Sequence, residues 1–111
     1  MEIKNKIPFD IDMLNKFFRN QPVTKAYIFG SYVRGDYSIN SDVDFLVELE
    51  KHVDLFRFIE IKLQLEALLQ KSVDLVSARG ISERIKPTID SEKVLIYEKY
   101  IDGQRQVVSH P

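Results

Sequence analysis

Helical and extended apolar patterns alternate along the whole chain, and the link that follows the helical turn and enters the second extended run, over residues 35–42, is short. Extended runs fall at Ala26-Tyr27-Ile28-Phe29, over residues 42–48, over residues 72–77 and at Val94-Leu95-Ile96-Tyr97. Gly30 stops the first, and Val43, Phe45, Leu46 and Val47 dominate the second. Helical spacing precedes each of them. Ile11, Leu14, Phe17 and Phe18 recur at three and four behind Asp10, a good N-cap, and Gln21-Pro22 closes that run. Residues 31–35 predict one helical turn capped by Ser31. Residues 55–70, behind Asp54, predict the longest helix. Residues 81–85 and 87–90 predict two further turns, the second started by Pro87. The order α-β-α-β-α-β-α-β calls for a sheet covered by helices. The short link over residues 35–42 suits an antiparallel or mixed sheet better than a full crossover. The expected fold is α+β, with a mixed sheet of about four strands. It occupies one domain, residues 1–101, before a polar tail, residues 102–111, where periodicity is lost.

Composition narrows the function. The 111 residues suffice for one hydrophobic core. Sixteen basic and seventeen acidic residues leave a formal charge of -1, which excludes the global field of a nucleic-acid or acidic-membrane binder. There is no cysteine, hence no disulfide framework, thiolate nucleophile or Cys-ligated zinc. No apolar run is long enough to span a bilayer, and residues 1–6 lack the apolar stretch of a signal peptide. The expectation is a cytoplasmic protein with no membrane and no direct nucleic-acid partner.

Three acids interrupt this apolar pattern. Asp42 and Asp44 stand two apart on a predicted strand, so they share one face at about 7 Å between backbones. Asp is depleted in strands. A single strand Asp is usually an edge residue facing water. Two on one face beside Val43 and Phe45 would repel and resist desolvation. A divalent cation relieves both, and hard oxygen ligands at this spacing suit Mg²⁺. Asp74 repeats the anomaly within Val73-Asp74-Leu75-Val76 and completes the cluster if the second and third extended runs are neighbours.

Gly30-Ser31 lies at a strand-to-helix junction. Glycine there admits close approach of a ligand, and the N–H groups and the Ser31 hydroxyl can face a phosphate. Alone, such a pair is usually a turn and a cap. Here it precedes Asp42-Val43-Asp44 by ten residues. Gly30-Ser31-Tyr32-Val33-Arg34-Gly35-Asp36, followed by Ser41-Asp42-Val43-Asp44-Phe45-Leu46-Val47, resembles the nucleotidyltransferase signature of the DNA polymerase beta superfamily. The chain is most similar to the minimal nucleotidyltransferases, the MNT-domain antitoxins paired with HEPN-domain toxins. Val73-Asp74-Leu75-Val76 matches the third acidic strand of that family, and residues 92–98 its last strand.

This resemblance implies a polymerase beta-like palm. Gly30 and Ser31 would hold the triphosphate of ATP. Asp42 and Asp44 would bind a pair of Mg²⁺ ions, and Asp74 would bind the catalytic metal and help activate the acceptor hydroxyl. The implied activity is transfer of AMP to a tyrosine hydroxyl of a cognate HEPN toxin, which blocks its ribonuclease. Two alternatives stay open. One is an antitoxin that masks its toxin without catalysis. The other is transfer to a small molecule, as in the aminoglycoside nucleotidyltransferases, for which a partner would have to supply the missing acceptor wall.

Other residues carry two readings each. Arg34 could reach a phosphate, or pair with Asp36 as a solvated helix charge. Arg79 and Arg84 could touch nucleotide or partner, or be surface charge. His52 and His110 have no triad partners, and Tyr97 and Tyr100 read as packing residues. Leu55, Phe58, Ile59, Leu65, Leu68 and Leu69 form the expected main apolar face of the long helix. Phe56, Ile61 and Leu63 widen it beyond what one core needs. That excess marks an interface, in a homodimer or a hetero-oligomer with the toxin, or a face covered by the first helix.

Overall fold

The computed structural model describes residues 7–99, so the tail, the boundary near residue 101, Tyr100 and His110 lie outside the described residues. The first helix, α1 (Ile11–Arg19), begins where Asp10 accepts the N–H groups of Asp12 and Met13, at 3.0 and 3.2 Å. Strand β1 (Val23–Phe29) starts three residues before the apolar run. Partners recruit its polar beginning: the Thr24 hydroxyl donates to the Glu48 carbonyl, and Lys25 pairs with Glu98. The single turn α2 (Ser31–Arg34) follows, then β2 (Val43–Leu49). Asp54 caps α3 (Leu55–Leu69) by accepting the Arg57 N–H at 2.9 Å. Strand β3 (Val73–Ser77), a 3₁₀ turn at Ala78–Gly80, α4 (Lys86–Glu92) and β4 (Val94–Glu98) follow among the described residues.

The four strands form one sheet in the order β3-β2-β1-β4. Strand β1 pairs antiparallel with β2 and with β4, while β2 and β3 run parallel, joined through α3. The antiparallel β1–β2 pair agrees with the short 35–42 link, and the helical crossover between β2 and β3 is long enough for a parallel pair. The α+β expectation holds.

One sheet face is the core side. Val43, Phe45 and Val47 of β2 and Val73 and Leu75 of β3 join Ala26 and Ile28 beneath Leu14 and Phe18 of α1 and Ile61 and Leu65 of α3. Phe18 sits between Phe45 and Tyr97, with ring centroids at 5.9 and 6.1 Å. Tyr97 is thus the packing residue that was expected. Strand alternation sends Asp44, Leu46 and Glu48 to the opposite face. Leu46 is buried there without belonging to the core cluster, with Tyr27 and Val76 as its register neighbours.

Three expectations need correction. Ile61 is central to the buried face of α3, not an excess residue, whereas Leu55, Ile59 and Leu68 are exposed together with Phe56 and Leu63. The helix is too apolar all round for its pattern to fix its rotation. The buried stripe is Phe58, Ile61, Leu65 and Leu69, at spacings of three and four. Helix α1 does not cover the remainder: it lies over β4 and β1, α3 lies over β3, and Phe56 stays 84% exposed. Finally, residues 81–85 form no helix. Only their end is a turn, from which Lys86–Glu92 continues, because Pro87 supports a helical start but lacks the N–H to continue one from upstream.

Candidate active site

The strand register assembles the acids. Asp44 pairs with Asp74 across the parallel β2–β3 ladder, which places their backbones about 4.8 Å apart with side chains on the same face. The Val43 N–H donates to the Ser72 carbonyl at 2.9 Å and sets that register at the mouth of the sheet. Asp42 lies one residue before β2. A turn aims it: the Ser38 N–H donates to the Ser41 hydroxyl at 2.8 Å, and the Ser41 N–H donates to the Ser38 carbonyl at 3.1 Å. Tyr37 anchors the same loop by stacking on buried Tyr32, with centroids 4.3 Å apart. The Asn40-Ser41 turn chemistry is therefore present, with Ser38 as its second half.

Electrostatics record this proximity. The Asp44 carboxyl is pushed up to about 6, first by partial burial, then by the negative charges of Asp74 and Asp42. Arg34 pulls it the other way, and Glu92 adds to the push. Half-buried Asp44 and exposed Asp42 and Asp74 thus form a crowded negative group at one end of the open sheet face. Among the described residues, no three acidic or histidine side chains converge closely enough to enclose an ion on their own. The donor chemistry nevertheless suits a hard divalent cation. All three are carboxylates, and a cation would offset the repulsion that raises Asp44.

Gly30 meets this group from β1, whose last residue, Phe29, is the register partner of Asp44. Gly30 has φ 83° and ψ −154°. A Cβ there would lie 2.0 Å from Asp44 Oδ2. Both the backbone conformation and the close approach of the carboxylate therefore demand glycine. Ser31 is the first residue of α2, and Gly30 is its cap, contrary to the expected Ser31 cap. The Gly30 carbonyl accepts the N–H groups of Val33 and Arg34, at 2.9 and 3.0 Å. The cap belongs to glycine because a left-handed φ is needed where the strand turns into the helix.

Arg34 pairs with Asp36 and Glu92, each at 3.2 Å, so the Asp36 pairing that was open is made and Glu92 joins it. The Glu92 carboxylate also accepts the Gly30 N–H at 2.8 Å. Sequence reasoning missed Glu92. It lies 62 residues from Gly30, and no local pattern marks it. Arg79 sits in the 3₁₀ turn at the far end of β3, about 15 Å along the chain from Asp74. There it lines a different cavity, with Thr24, Glu48 and Leu49, of about 290 Å³. Arg84 and His52 are exposed.

Residues 12–102 match the family model for the polymerase beta nucleotidyltransferase domain. A protein adenylyltransferase, MntA, of Thermococcus cleftensis is 45% identical over 74 residues, covering 67% of this chain and 75% of its own. The crystal structure of a toxin–antitoxin with AMP-PNP is similar at a TM-score of 0.72 and 24% identity, over 91% of this chain and 83% of that one. A tri-AMPylated Shewanella oneidensis HEPN toxin in complex with its MNT antitoxin aligns at a TM-score of 0.63 and 20% identity, over 97% and 78%. At these identities the solved structures speak to the fold. No helix among the described residues is long and apolar enough to cross a membrane.

Proposed function

The chain belongs to the polymerase beta nucleotidyltransferase family, and from that premise we propose that it is a Mg²⁺-dependent protein adenylyltransferase antitoxin. It moves AMP from ATP to a tyrosine hydroxyl of a HEPN toxin and so silences the toxin. The observation that carries this reading is the Asp44–Asp74 register pair with Asp42 beside it, facing Gly30. Support for the donor and the acceptor comes from the relatives: an adenylyltransferase by name, an AMP-PNP complex, and an AMPylated HEPN toxin.

Asp42 and Asp44 would hold the metal pair, with Asp74 on the catalytic ion. Bound there, Mg²⁺ supplies charge neutralisation and oxygen positioning for in-line displacement at the α-phosphate. The protein's own residues do the rest. The N–H groups at the start of α2 and the Ser31 hydroxyl orient the triphosphate. Asp74 orients the acceptor hydroxyl and draws on its proton as the oxygen attacks and pyrophosphate departs. Asp42 and Asp74 are exposed, as a macromolecular acceptor requires. Positioning and charge, not covalent chemistry, supply most of the rate.

A second reading, neutralisation by binding alone, draws on exposed Phe56, Ile59 and Leu63 of α3. One experiment separates them. A HEPN-domain protein offered as acceptor is incubated with this chain, Mg²⁺ and each nucleoside triphosphate in turn, and its intact mass is read. An added AMP with ATP, absent with Asp42→Ala/Asp44→Ala, supports transfer. A silenced but unmodified partner supports masking.

A further inference from the structure

Glu92 touches both the Gly30 turn and Arg34, whose charge acts on Asp44, and the mechanism above does not use it. Its side chain is 16% exposed. One carboxylate oxygen accepts the Gly30 N–H at 2.8 Å, and both oxygens accept from Arg34 Nη1 at 3.2 Å. Gly30 is the residue whose left-handed backbone and missing Cβ make room for Asp44. Arg34 is the positive charge that opposes the repulsion on Asp44. Glu92 is itself held firmly. It ends α4 just before β4, whose pairing with β1 reaches Val94 opposite Ile28. The next residue, Lys93, donates its N–H to Ile89, pairs with Asp90 at 2.9 Å and lies 4.6 Å over the Tyr27 ring.

We propose that Glu92 is a positioning residue of the transfer site: by holding the Gly30 peptide and the Arg34 guanidinium at once, it fixes the turn that meets the nucleotide and the seat of Asp44. The inference rests on the nucleotidyltransfer reading above. It has a sign that charge alone reverses. Glu92 is one more anion where a triphosphate must bind, so repulsion predicts that its removal tightens nucleotide binding. Preorganisation predicts that removal weakens it, because a loosened turn must be ordered again by the ligand.

The test uses the full chain with Glu92→Ala and Glu92→Gln, and Mg²⁺ with AMP-PNP as the probe. Affinity is measured by calorimetry well below the melting temperature, and the Gly30 amide is followed by NMR. For Glu92→Ala, affinity should weaken on the order of tenfold, as for other partners that orient ligating groups. The Gly30 amide proton should lose its exchange protection. Glu92→Gln keeps an oxygen for the Gly30 N–H and should retain most of the affinity and the protection. A lowered melting temperature with unchanged or tighter AMP-PNP binding would overturn positioning and leave Glu92 a structural contact. A wild-type chain that binds no Mg²⁺–AMP-PNP would instead overturn the nucleotide reading, and positioning would fall with it.

Discussion

Asp44 and Asp90 are carboxylates held in opposite ways. Asp90 lies on α4 between Lys86 and Lys93, at 2.8 and 2.9 Å, and hydrogen bonds from both lysines hold its carboxyl below the usual range. Asp44 is half-buried on β2, faces Asp74 and Asp42, and is pushed up to about 6. Asp90 is an acid whose surroundings favour its charge. The surroundings of Asp44 oppose it, and the fold keeps it there by placing Gly30 against it. A half-buried carboxylate held against like charges in this way marks a candidate functional site.

The sharpest break in the comparison is removal of the crowded acids. Asp42→Ala/Asp44→Ala should lower AMP transfer by roughly 10²-fold to 10³-fold or more, the scale of losing charge stabilisation at the reacting centre. Its melting temperature should not fall, since mutual repulsion goes with the charges. Calorimetry beside the intact-mass assay checks both.

Gly30→Ala comes next. The new methyl would meet Asp44 Oδ2 at 2.0 Å and would have to hold φ 83°. A cost of about 1–3 kcal/mol is expected from the backbone alone. Chemical denaturation should show the loss, and AMP transfer should fail as Asp44 is displaced. Adding Asp44→Ala should recover part of the stability, a coupling that a double-mutant cycle measures.

The pH dependence of metal-free stability sharpens the contrast further. Asp44 titrates near 4 when unfolded and at about 6 when folded, so between these values the native state binds the proton more tightly. Its contribution therefore stabilises at low pH and is lost as pH rises through 4 to 6. Solvent around the half-buried group reduces the effect to about 1 kcal/mol. Urea midpoints of wild type and Asp44→Asn, compared across this window, should converge at the acid end, with the variant the more stable above pH 6. The smallest effect belongs to the other carboxylate. Asp90→Asn breaks exposed ion pairs, so the melting temperature should stay nearly unchanged and AMP transfer intact.

Much of this was readable from the sequence. The acids stand out because Asp is out of place between Val43, Phe45 and Val73, and the short 35–42 link suits the antiparallel first pair. Gly30-Ser31 was found by its spacing to Asp42. What stayed hidden depended on contacts between distant segments. Glu92 reaches Gly30 only because β4 folds back onto β1. The rotation of α3 was misread since leucines and phenylalanines surround it, and only the sheet decides which of them are buried. The early start of β1 follows from ladder partners, not from Thr24 and Lys25 themselves.

The most direct test of the central claim is the titration of the Asp44 carboxyl by ¹³C NMR, without metal and with Mg²⁺ and AMP-PNP. The predicted midpoint is about 6 without metal, moving well below that value once cation and nucleotide are bound. A midpoint near 4 that ignores both additions would show an ordinary surface acid and contradict the account.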